Sequence, residues 1–516
     1  MFLGSLILLL GCTFTLAYII DSDVVSGDPA PQAEPSADPF ERLLPYNYNN
    51  YRCMYLFKEI CERNGAEIPE PVSFVEYGGR SYWLETDSNG NRVAQLVNIG
   101  QVNEGEVVRI PKSIVHDEEP YTVVSVGICF QPLSMYDSNV DTYLTHVGIC
   151  GNSVDIPSAI DESGYLSWSE PTHYSIVFEG RVKVQDFAFC EFDLFHGDTG
   201  TVHCYYTKSG ITSVTFEEGA SSIGQWAFAY SCLESITVPD TESVGKYAFY
   251  YTENLVSVDW ASDVNIPDYA FEHSALSEIT ISGNPKIIGE WAFGSTKITS
   301  IDIPDSVTAI GNHAFFSCSE LISVSLGRGV TVIPAACFNK CVKLTDLSVA
   351  GTIRAVEDVA FSQGPSLNTF DFSNVERIGY SAFEYAFIDN DTIRLDLSNA
   401  KHIGDKAFRE CTAPVELILS PDLEYIGIAA LLGLKIAGEG NISIPAGCTL
   451  AESAFYGSNI TSVSLGDGCT VGKRAFNGCT LLESVTFGEN CILESAIDVN
   501  GLVGTFAGSG LRSVMI

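Results

Sequence analysis

The sequence predicts an α/β repeat solenoid: a right-handed coil whose turns share one long parallel sheet, with a β-rich cap at its N-terminal side. Three observations predict it. From Ile211 onward, short alternating apolar segments return about every 22 residues. An Ala-Phe pair returns at the same interval. Pro or Gly breaks the chain between the two. Self-similarity at this period marks a stack of supersecondary units, each unable to bury its apolar side alone.

Residues 1–20 carry no charged side chain and are almost wholly apolar, with Thr15-Leu16-Ala17 as a small-residue cleavage site. This fits an export signal, or an anchor if it is not cut. Residues 21–45 hold five prolines among acids and no apolar period, the composition of a disordered linker. In residues 46–71, YRCMYLFKEICERN from Tyr51 reads as a short amphipathic helix stopped by Gly65. Residues 72–130 read as strands (FVEYG, RSYWLE, RVAQLVNI, EVVRIP and YTVVSV), with a hairpin turn at Asp87-Ser88-Asn89-Gly90. This block is the expected cap, since an open first coil would expose core to water. Residues 131–210 hold irregular repeats and an insertion, CEFDLFHGDTGTVHC, which a Cys190–Cys204 disulfide could clasp. Its His196, Asp198 and His203 match no established metal-ligand spacing.

Residues 211–516 are the regular array. One coil, Ile298 to Leu321, reads ITSIDIPDSVTAIGNHAFFSCSEL. Ile301 and Ile303 mark the inward side of a strand, Pro304 ends it, Val307 and Ile310 point back inward, and Ala314-Phe315 plug the far side. The plug recurs as Phe228, Phe249, Phe271, Phe293, Phe315, Phe338, Phe361, Phe383, Phe408, Phe455 and Phe476, with Leu431 as the substitute between Phe408 and Phe455. Ala before each Phe is small enough to admit the ring to the core. This pattern resembles the BspA-like leucine-rich repeats. Ile298–Leu321 matches almost throughout, and the resemblance runs over about Val108–Ile516. It implies a secreted or cell-surface protein that adheres to matrix or cells, with no catalytic residues to carry over.

The net charge of −38 excludes nucleic acid, whose phosphates need Lys and Arg to displace counterions, and disfavours anionic membrane. It favours a basic partner. No G-x-S-x-G, H-E-x-x-H or phosphate-binding loop occurs, so neither catalysis nor a cofactor is expected. Outward strand positions are hydroxylic or acidic: Ser300, Asp302, Ser323, Ser325, Asp346, Ser348, Thr369 and Asp371. They form the candidate binding face for a protein or glycan. Ser and Thr also suit any exposed strand. Cys318, Cys341, Cys411 and Cys479 each follow a plug by three residues, where other coils place Ser, Thr, Gly or Ala. They are expected as free thiols in a slot for small residues. Asn390, Asn441 and Asn459 stand in N-x-S/T sequons and are either glycan carriers or structural asparagines. The expected function is a binding or adhesion scaffold. A structural component of an extracellular coat is the alternative, and an enzyme a distant third.

Overall fold

A computed structural model describes residues 73–100, 102–127, 171–185, 209–364, 370–387, 392–494, 496–498 and 501–515, with short pieces at 136–137, 142–143, 188–189, 191–196, 202–207 and 367. The export segment, the linker and the helix expected from Tyr51 lie outside them.

Each coil folds as its sequence requires. In Ser300–Ile303, Ile301 and Ile303 face the core while Ser300 and Asp302 face out. Pro304 lacks a ladder donor and the strand stops. Val307 returns to the core, and Ala309–Ile310 makes a second short strand. Gly311 then passes so close to the previous coil that a Cβ would lie 2.4 Å from the Glu290 nitrogen. Two tight turns follow with the plug at their centre. Residues two before and two after Phe315, His313 and Ser317, both have φ near 59°.

Three backbone ladders tie successive coils. The first joins the main strands in parallel, with inward residues in register: Ile236 to Val258, Ile301 to Val324 to Leu347, and Ile442 to Val463 to Val485. The second joins the short strands, continuously from Val332–Ile333 to Ile492–Leu493. The third runs along the turns, where each plug N–H donates to the carbonyl of the residue before the next plug: Phe293 to Ala314 at 2.8 Å, Phe315 to Cys337 at 3.0 Å, Phe338 to Ala360 at 2.8 Å. Inside this third ladder the rings stack. Centroids are 5.1–5.6 Å apart from Phe189 through Phe408. Leu431 interrupts the column, which resumes from Phe455 to Phe476 to Phe506. The plugs at Phe228, Phe249, Phe271, Phe293, Phe315, Phe338, Phe361, Phe383, Phe408, Phe455 and Phe476 are all essentially inaccessible.

Two expectations need correction. The α/β class is wrong in its first letter: among the described residues there is no helix. A helix advances only 1.5 Å per residue and needs a run of right-handed conformation. Here the far side of a roughly 22-residue coil carries a pair of left-handed residues four positions apart, one on each side of the plug, which breaks any such run. The single long sheet is also divided. Among the described residues the main-strand ladder falls into four sheets, with seams after Glu278–Ile281, Asp346–Val349 and Lys435–Ile436. The third seam falls in a coil of 25 residues, from Leu417 to Ile442. At the second, Phe370 and Phe372 fill the inward slots with rings instead of aliphatic chains. We have no physical account of the first seam.

At the N-terminal side, Ser73–Tyr77, Arg80–Thr86 and Arg92–Asn98 form an antiparallel meander. The last of these pairs in parallel with Glu119–Val126, which pairs with Val182–Val184, which pairs with Ala220–Ile223. The meander therefore extends the second ladder. The first main strand is Glu106–Ile110, paired with Tyr174–Phe178 and through it with Ile211–Phe216.

Candidate functional site

The expected binding face is a pair of rows set by strand register. Ser300, Ser323 and Asp346 form one row, and Asp302, Ser325 and Ser348 the other. Ser300, Asp302, Asp346, Ser348 and Asp371 are exposed; Ser323 and Ser325 are half-buried. Thr369 lies outside the described residues. Asp371 is partly occupied, accepting the Ser373 N–H at 2.9 Å. The face is not uniform. Asp346, Ser348, Thr352, Asp371 and Asn374 line a cleft of about 350 Å³. A larger one of about 530 Å³ lies over earlier coils, between Ser213, Thr237, Asp259, Glu278 and Thr280. That cleft extends the same hydroxyl-and-acid pattern. Within it the Asp259 carboxylate accepts the Ser282 hydroxyl at 2.6 Å.

Many cations lie in ion pairs between adjacent coils, including Lys246–Asp268 at 2.7 Å, Lys343–Glu320 at 2.6 Å, Arg354–Glu376 at 2.8 Å and Arg409–Glu384 at 3.0 Å. Exposed pairs of this kind contribute little stability each. Their consequence is electrostatic: pairing these cations leaves the remaining acids dominant on the surface.

In several coils the small residue of the cysteine slot also donates a hydrogen bond. Ser231, Thr252 and Thr296 donate their hydroxyls to the plug carbonyl of their own coil at 2.7–2.8 Å. Cys318, Cys341, Cys411 and Cys479 reach back to the plug carbonyl of the preceding coil at 3.0–3.2 Å. These seven coils use the slot for a short donor, whereas Gly364 and Ala386 fill it without one. These four thiols are free and buried. Burial pushes the Cys411 and Cys479 thiols up. Cys190 lies outside the described residues. The hairpin Glu191–His196 and Val202–Thr207 sets Cys204 opposite Leu194. Among the described residues no three His, Cys, Asp or Glu converge as a metal site.

Of the sequons, Asn390 lies outside the described residues. Asn459 spends its side chain on the backbone of the preceding coil: its Oδ1 accepts the Ile436 N–H at 2.6 Å and its Nδ2 donates to the Ile436 carbonyl at 2.9 Å. Asn441 accepts the Ser462 hydroxyl at 2.6 Å and donates to Glu439 at 3.0 Å.

Sequence reasoning missed an outer aromatic column. The residue two before each plug is aromatic in five successive coils: Trp226, Tyr247, Tyr269, Trp291 and His313. Their rings stack at 4.4, 4.7, 6.5 and 4.4 Å, all within 15° of parallel. Tyr250 stands edge-on to this column, and Tyr251 and His273 flank it. Beneath lies Glu272, nearly inaccessible, with its carboxylate oxygen 3.6 Å from His273 Nε2. Burial raises its carboxyl to about 7. The readable signal was the tripeptides WAF, YAF, YAF, WAF and HAF.

Stacked parallel strands, aliphatic inward rows and a buried aromatic plug in each coil define a leucine-rich-repeat solenoid. The chain belongs to the family of the BspA type leucine rich repeat region, whose six-copy model matches residues 201–322, 264–389, 331–450 and 384–495, together more than half of the chain. Among solved structures it is similar to a leucine rich cell surface protein from Faecalibacterium prausnitzii (16% identity, 80% of this chain and 94% of that one, TM-score 0.33). It is also similar to a leucine-rich repeat protein from Bacteroides ovatus (16%, 81% and 94%, TM-score 0.32) and to the pneumococcal vaccine antigen PcpA (14%, 82% and 99%, TM-score 0.32). No curated protein matches the chain.

Proposed function

We propose that this protein is an exported or cell-surface binding scaffold that holds a protein or glycan ligand on its main-strand face without catalysing a reaction. The observation that carries the reading is the pair of in-register rows of Ser and Asp, set over aliphatic rows that the core has already consumed. Side chains fixed by a shared ladder lose little freedom on binding, which is what a preorganised surface contributes to affinity. Membership of a repeat family supports a scaffold. The apolar residues 1–20 support export. The acidic surface favours a basic ligand.

The test uses the full chain. Binding to immobilised extracellular-matrix proteins is measured against salt for the wild type and for Asp302→Asn/Asp346→Asn/Asp371→Asn. Saturable binding that weakens with salt and drops at least tenfold in the triple variant is expected. Saturable binding that the variant leaves untouched would remove this face from the function. Self-assembly without any ligand would favour a structural component of a coat instead.

A further inference from the structure

We infer that the outer aromatic column on the turn side of the array is a second docking surface, and that its occupant is a basic peptide segment of a partner protein. The column is Trp226, Tyr247, Tyr269, Trp291 and His313, one ring per coil, with Trp226 buried at one end and the other four half-buried.

The fold does not require these rings. The same position holds Ala336, Val359, Ser381, Lys406, Ala429, Ser453 and Arg474 in later coils, all with the same left-handed backbone. The core is already filled by the Phe plugs one layer below. Trp and Tyr are also the residues that most often anchor interfaces, whereas the main-strand face is poor in them.

Two features choose the occupant. Ring faces in the column are taken by neighbouring rings, so a sugar has little open face to stack on. What remains are edges, hydroxyls and ring nitrogens, with Tyr251 and His273 the most exposed beside them. The charge around the rings is negative. Asp268, Glu272 and Glu290 act on Tyr269, and Glu290 also acts on His313. Of the cations nearby, Lys246 is already paired with Asp268 at 2.7 Å, and Lys340 sits over the ring of Phe316 at 5.3 Å, beyond the Trp291 and His313 end of the column. Lys and Arg fit such a surface, because their stems pack on apolar edges while their heads reach carboxylates. The acidic segment 21–45 of this chain carries the wrong sign to cover it.

The test titrates the full chain with nona-arginine at about 0.3 M salt, where distant charges are screened. Heat and the change in the chain's tryptophan fluorescence, to which Trp226 and Trp291 of the column contribute, are the readouts. Tyr251→Ser/His273→Ser is expected to weaken binding about tenfold and Glu290→Gln about threefold, each with a melting temperature close to wild type. The main-strand triple variant is expected to bind nona-arginine within about twofold of wild type, which separates the two surfaces. Glu290→Gln keeps the test decisive should the double variant not fold. Wild-type affinity in both column variants overturns the inference. So does loss of peptide binding in the main-strand variant, or column-dependent binding of a chito-oligosaccharide in place of the peptide.

Discussion

Phe315 is fully buried, with Phe293 on one side and Phe338 on the other at 5.3 Å each. Truncation removes its own burial and one partner of two stacked pairs, and the coil cannot collapse because three ladders hold its spacing. Phe315→Ala is expected to cost about 3–5 kcal/mol, read as a drop in the denaturation midpoint. An unchanged midpoint would mean the ring is not a core element. Glu272 gives a sign-specific test. Its carboxyl titrates near 4.5 when exposed and near 7 in the fold. Between those values folding takes up a proton, so stability falls as pH rises through the window and the full penalty stands above about 7. Glu272→Gln cannot ionise. It is expected to exceed wild type by on the order of 2 kcal/mol at pH 8 and to match it at pH 4. A difference independent of pH would refute the assignment. Asn459 differs from both, since its amide bonds a backbone donor and acceptor together. Asn459→Asp keeps the acceptor, loses the donor and is expected to cost about 1–2 kcal/mol in chemical denaturation.

At the scale of the element, the close approach of each coil to its neighbour rests on glycine. At Gly311 the obstacle is backbone, the Glu290 nitrogen, and cannot swing away. Gly311→Ala is expected to destabilise by about 1–3 kcal/mol through overpacking, although alanine is ordinarily the better residue for chain entropy. Equal or higher stability in a melting experiment would show that the coils can separate at no cost. This element also shows how far the sequence could be read. The strand, its Pro stop and the Ala-Phe plug were legible, because periods of two and of 22 leave independent marks. The turns were not, since left-handed conformation at His313 and Ser317 has no composition signal when Trp, Tyr, Val and Lys occupy the equivalent sites. The absence of a helix on the far side followed from those turns and was hidden with them. The binding rows were legible as residue types. The column of WAF, YAF and HAF is visible in the sequence but lies one position outside the Ala-Phe pair that carries the period.

Across the whole molecule, charge opposes compaction. A net charge of −38 makes the folded array repel itself, and screening relieves that repulsion. Raising NaCl from about 0.05 to 0.5 M is expected to raise the melting temperature by several degrees. A fall would show that the ion pairs between coils outweigh the repulsion. The three ladders also matter together. Where the main strands part after Glu278–Ile281, the turn ladder continues from Phe293 to Ala314 and the short strands Ile287–Ile288 and Ala309–Ile310 stay paired. Where the short strands part between Ala309–Ile310 and Val332–Ile333, Ser300–Ile303 remains paired with Ser323–Leu326.

Because the seams are offset, a pull along the axis finds no single weak cross-section. At these two seams tension passes from a parted rail to the two still joined. Such a body would pass load from coil to coil along more than one line of backbone bonds.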